Sequence, residues 1–98
     1  MRIEILDRAR QDFLDGFRFY GKQAEGVGCY FRDSILADIE SLHLYAGVHA
    51  KQFGFYRMIA RRFPYAIYYR LEERVVRIHA VLDCRRNPAW IRDRLTRE

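Results

Sequence analysis

The stretch RMIARRFPYAIYYRLEERVVRIHAVLDCRRNP, residues 57–88, decides the fold. It is rich in β-branched and aromatic residues, and its polar side chains fall at alternate positions, the period of a strand. On the strand that leads into it, Tyr56, Met58 and Ala60 share one face. Phe55, Arg57, Ile59 and Arg61 share the other. Pro64 marks a first turn, YAIYYRL forms a second strand, and EER (residues 72–74) is a polar turn. In the third strand, VVRIHAVL, strict alternation places Val76, Ile78, Ala80 and Leu82 on one face. Val75, Arg77, His79, Val81 and Asp83 fall on the opposite one. The expectation is an antiparallel three-stranded meander with one face packed on helices and the other mixed and partly wet.

Those helices lie upstream. RIEIL (residues 2–6) alternates as a short first strand, and Asp7 is placed to cap a helix that follows at once. Ala9, Phe13, Phe17, Tyr20 and Ala24 form one apolar helical stripe, which EGVG (residues 25–28) breaks. A second stripe runs through Phe31, Ile35, Ile39 and Leu42. Two adjacent amphipathic helices joined by a Gly-containing turn predict a helical hairpin. AGVHAKQFG (residues 46–54) reads as a loop, and AWIRDRLTRE after Pro88 as a short terminal helix. The fold class is therefore α+β: an N-terminal strand, a helical hairpin, an antiparallel three-stranded meander and a short C-terminal helix, in a single domain over residues 1–98. The two helices are expected to pack on Val76, Ile78, Ala80 and Leu82.

Composition narrows the function classes. Half of the 98 residues are hydrophobic, enough for one core. No apolar run approaches the ~20 residues that span a bilayer, and the N-terminus lacks the apolar stretch of a signal peptide. The cytoplasm is the expected compartment. The cysteines, Cys29 and Cys84, carry no metal-ligand spacing with His43, His49 or His79, so neither a metal nor another cofactor is expected. Cys29 reads as a small buried hydrophobe. EGVG follows a helix and lacks the Lys and Ser/Thr of a phosphate loop.

The net charge of +5 is unevenly placed. Residues 57–98 carry eleven Arg against five acids, whereas residues 1–56 carry seven Lys or Arg against eight acids. Guanidinium groups bind phosphate and carboxylate through paired N–H donors, so a one-sided arginine surface suits a polyanion or an acidic protein. The bland alternative is a solvated sheet whose Arg stems cover apolar surface.

The order of elements, the early ARQDFLDGFRFY helix and the series Arg57, Tyr65, Ile67, Tyr69, Val76, Ile78, Val81, Arg85, Arg86 resemble the RelE/ParE superfamily of bacterial toxins from type II toxin–antitoxin modules. The resemblance implies two functional branches: RelE-like ribosome-dependent mRNA endoribonucleases, and ParE-like proteins that act on DNA gyrase. RNA cleavage needs an acid, a base and cations around the phosphate. Ala66 falls where many mRNA-cleaving members carry arginine. Trp90 falls where a functional tyrosine often sits, and an indole neither gives nor takes a proton. VLDCRRNP (residues 81–88) looks like the ParE-type phrase, with Asp83 in place of its histidine. The resemblance thus favours the ParE branch. An endoribonuclease and an inactive antitoxin-binding relic are the alternatives.

Arg57, Tyr69, Arg77, His79, Arg85 and Arg86 are the candidate target-binding residues, with no catalytic residue assigned. The expected partner is a cognate antitoxin. Gyrase, or the ribosome with its mRNA, is the possible target.

Overall fold

A computed structural model of the protein describes residues 1–97. Strand β1 (Arg2–Ile5) leads into α1 (Asp7–Gly21), which turns into α2 (Val27–Glu40). The single turn α3 (Leu42–Tyr45) and the two-residue strand β2 (Lys51–Gln52) follow. Strands β3 (Phe55–Ile59), β4 (Tyr65–Glu72) and β5 (Val75–Asp83) form the meander, and α4 (Pro88–Thr96) closes the order. The five strands make one sheet in the order β1-β5-β4-β3-β2. β1 runs parallel to β5, and every other pairing is antiparallel. The fold class matches the one read from the sequence, with β2 added inside the expected loop.

The helical hairpin covers one face of the sheet. Phe31, Ile35 and Ile39 of α2, with Leu42 and Ala9, are buried against Met58, Ile67, Tyr69, Val76 and Ile78. Phe13, Phe17 and Tyr20 of α1 pack at the rim of this core. Ala24 lies beyond the end of α1 and is exposed, as is Cys29, which was expected to be buried. Cys29 lies two positions before Phe31, the first stripe residue, a step of about 200° that puts it on the outer side of α2. Asp7 is the first helical residue rather than the cap, which is Leu6 in extended conformation. There its carboxylate still meets the positive end of the helix dipole.

The facing of β5 departs from strict alternation. Tyr69 pairs with Ile78 and Tyr68 pairs with Ala80, so His79 is an extra residue opposite that step. This β-bulge reverses the side-chain parity beyond it. Val76, Ile78 and Val81 therefore face the hairpin. Ala80 and Leu82, expected on that face, turn to the other side and form a second core with Phe55, Ala66 and Tyr68. Ile91 and Leu95 of α4 cover that core. The sheet is thus buried on both faces around Ala66 and Tyr68, both fully buried.

Beyond Ile78, β5 has no β1 partner on its outer edge. Asp12 of α1 takes over: its Oδ2 accepts the Val81 N–H at 3.1 Å and a guanidinium N–H of Arg94 at 2.6 Å. The Asp12–Arg94 pair is only 13% and 11% exposed and ties α4 to α1. Burial raises the Asp12 carboxyl above its usual value, against the lowering pull of Arg94. The helices approach most closely at two glycines. A Cβ on Gly16 would lie 2.5 Å from Phe31 Cζ, and one on Gly28 would lie 2.9 Å from the Phe17 carbonyl.

Gly16→Ala tests this packing. Alanine is the better helix former by about 1 kcal/mol, so an open site would be stabilised. The Phe31 contact predicts the opposite sign, a net loss of ~1–3 kcal/mol in denaturant unfolding. A stabilised variant would contradict the close approach.

Candidate functional site

The six sequence-predicted residues do not converge on one cleft. Arg85 and Arg86 sit where β5 gives way to the turn before α4. Asn87 caps that helix, its side-chain oxygen accepting the Ala89 N–H at 2.7 Å, and Pro88 pre-sets the first turn. The sequence thus ends the strand abruptly and leaves both arginines at a rigid corner.

The two arginines have different partners. Arg85 is gripped by Asp83: Nε donates to Oδ1 at 3.0 Å, a terminal guanidinium N–H donates to Oδ2 at 2.7 Å, and the Arg85 amide donates to Oδ1 at 2.9 Å. Those hydrogen bonds hold the Asp83 carboxyl below the usual aspartate value. They also raise the Arg85 guanidinium above its own. Among the described residues Arg86 has no such anion. Its guanidinium lies over the Trp90 ring at 4.1 Å, a cation–π contact that orients the group while keeping its charge. It borders a cleft of about 420 Å³ lined by Asp12, Asp15, Phe19, Trp90 and Arg94, among others. Tyr65 also lines this cleft, and burial pushes its phenol up to about 12, so it holds its proton near neutrality.

Arg57 and Tyr69 lie on the β2 side of the sheet. Arg57 Nε donates to the Tyr68 hydroxyl at 3.2 Å. The buried Tyr69 reaches out to the loop before β2, where its hydroxyl accepts the Gly47 N–H at 2.9 Å and bonds His49 Nδ1. Burial raises the Tyr69 phenol and lowers the His49 imidazole, so both are neutral at pH 7. Tyr69 thereby anchors the loop as well as the core. His49, Arg57 and Arg61 line a second cleft with Asp38, Tyr45 and Ile59.

Arg77 and His79 lie elsewhere. Arg77 bridges two strands through Glu4 of β1 at 3.5 Å and Glu72 of β4 at 3.2 Å. His79, the bulge residue, is 8% exposed, and its ring lies 5.0 Å from that of Phe55. Among the described residues no group of His, Cys, Asp and Glu is placed to hold a metal ion.

Sequence reasoning missed Asp12, Arg94, His49 and Arg61 as members of these clefts. Asp12 and Arg94 lie 82 positions apart, and nothing local pairs them. His49 carried one weak signal, a histidine in a loop with no structural task.

No protein-family model matches the sequence, and no curated protein matches it. A solved structure does match in shape: a chain of the chromosomal ParDE toxin–antitoxin system from P. aeruginosa superposes with a TM-score of 0.71. The match covers 83% of this chain and 92% of that one, at 15% sequence identity. The two chains share a fold.

The Asp83–Arg85 grip predicts a measurable titration. Asp83 followed by carboxyl-carbon NMR has an expected midpoint below 3.8. The interaction's contribution to stability is then present above the unfolded value and is lost as pH falls through the lower folded value. In Arg85→Ala the midpoint should rise. An Asp83 midpoint at or above 3.8, unmoved by that substitution, would dissolve the grip.

Proposed function

We propose that the protein is the toxin of a type II toxin–antitoxin pair, ParE-like in action, which inhibits growth through DNA gyrase in the cytoplasm and is neutralised by a cognate antitoxin. The observation that carries the reading is the shared fold with a ParDE chain over most of both lengths. The chemistry of the sheet supports the gyrase branch over RNA cleavage. Ala66, in the position that suggested a missing arginine, is fully buried beneath α4. Trp90 stacks on Arg86, and its indole is neither an acid nor a base near neutral pH. Tyr68 is fully buried and His79 nearly so, which keeps two titratable strand residues from a large substrate. The arginine corner offers a fixed cation beside an aromatic surface, a means of gripping a target rather than of breaking a bond.

Within this reading Arg86 is the target-binding cation and Arg85 holds the corner in shape through Asp83. The experiment is induced expression in bacteria, with and without the neighbouring candidate antitoxin gene. Wild type is expected to arrest growth and co-expression to relieve it. Arg86→Ala should lose the arrest, and its melting temperature should stay close to wild type, since an exposed contact of this kind is worth only ~0–1 kcal/mol. A folded Arg86→Ala variant as toxic as wild type would remove Arg86 from the site. A wild type that never arrests growth would favour the inactive relic.

A further inference from the structure

The second cleft carries groups that the arginine corner does not explain. The Tyr69 hydroxyl accepts the Gly47 N–H, and His49 Nδ1 is its other recorded partner. A phenol has one proton to give. Given to Nδ1, it leaves the imidazole N–H on Nε2, and burial keeps the ring neutral. His49 then presents a donor to a cleft that Arg57 and Arg61 also line. Among the described residues neither guanidinium is ion-paired; Arg57 Nε donates to Tyr68, and the Arg61 backbone N–H donates to Asp38 Oδ2 at 3.2 Å. Asp38 is 4% exposed and lies in the cleft wall, where its charge offsets one arginine. What remains suits a monoanion. Tyr45, 55% exposed, and Ile59, 50% exposed, line the cleft, and Leu44 and Val48, 81% and 72% exposed, adjoin Tyr45 and His49 along the chain.

We propose that His49, Arg57 and Arg61 form a carboxylate-binding site that receives an acidic side chain of a partner polypeptide, whose adjacent aliphatic residues cover Tyr45, Val48 and Ile59. The inference rests on the reading above that the partner is an antitoxin protein, and it places one of that protein's contacts. One feature selects a peptide over a nucleic acid. The surrounding surface is largely aliphatic, whereas single-stranded nucleic acid is held by aromatic platforms on which bases stack.

The test uses a fluorescein-labelled peptide of alternating leucine and glutamate, followed by anisotropy. Replacing every glutamate by glutamine, or substituting Arg57→Gln and Arg61→Gln together, is expected to weaken binding about tenfold or more, since hydrogen bonds to charged groups contribute ~1.5–3 kcal/mol each. If the double variant fails to fold by circular dichroism, Arg61→Gln alone takes its place. Ring ¹⁵N shifts should show His49 as the Nε2–H tautomer. Equal affinity for the glutamine peptide, unchanged affinity in the arginine variant, tighter binding of oligouridylate than of the peptide, or an Nδ1–H tautomer would each overturn the site. The growth assay separates the two readings. Peptide binding without growth arrest keeps the pocket and removes the toxin; arrest relieved by the antitoxin, with a pocket variant that binds the peptide unchanged, does the reverse.

Discussion

The backbone of β5 between Ile78 and Val81 is where the architecture is settled. A strand in the middle of a sheet must satisfy both edges and bury both faces. β5 meets that demand with three neighbours in turn: β4 along one edge, β1 along the first half of the other, and the Asp12 carboxylate where β1 ends. The His79 bulge then directs Ile78 and Val81 toward the hairpin and Ala80 and Leu82 toward α4. Were His79 paired in regular register instead of bulged, Val81 would leave the main core and Leu82 would enter it, and α4 would lose part of its seat. The Asp12–Arg94 pair depends on the same geometry, because the amide it caps belongs to Val81, the second residue past the bulge.

That arrangement also decides which arginines remain available. A one-sided excess of guanidinium groups looks like a single binding surface in the sequence, yet the sheet engages many of them. Arg77 is bracketed by Glu4 and Glu72, Arg94 is buried with Asp12, Arg70 lies over the Phe55 ring at 4.1 Å, and Arg85 is held by Asp83. Their stems and charges complete the fold. Arg86, and the Arg57–Arg61 pair at the β3 edge, keep their charge free of a described carboxylate partner. These arginines border two separate clefts, one aromatic and at the strand end, the other beside Tyr45 and Ile59.

Much of the fold was legible because it follows period. The helical stripe through Phe31, Ile35 and Ile39 gives the right element and the right burial, and YAIYYRL gives the right strand. Alternation failed at IHAVL, where four of the five residues are apolar and no pattern of polar residues marks the inserted one. β2 was not legible because it is only two polar residues long and follows no period, and it pairs with β3 across a turn in which Phe53 and Gly54 both have positive φ. At the candidate sites, Arg85 and Arg86 were visible from their place at the strand's end. Their unequal roles were not, since they turn on which side chain reaches Asp83 and which reaches Trp90. Arg57 and Arg61 already shared a face in the sequence, and His49 joins them only through the fold of the loop before β2.

The central claim, a cationic corner that grips gyrase and does not cleave RNA, is tested most directly with the purified chain in a gyrase supercoiling assay run beside a translation reaction in which mRNA integrity is followed. The account predicts dose-dependent loss of supercoiling, with accumulation of cleaved DNA, and intact mRNA on the ribosome. Ribosome-dependent mRNA cleavage with supercoiling untouched would contradict it.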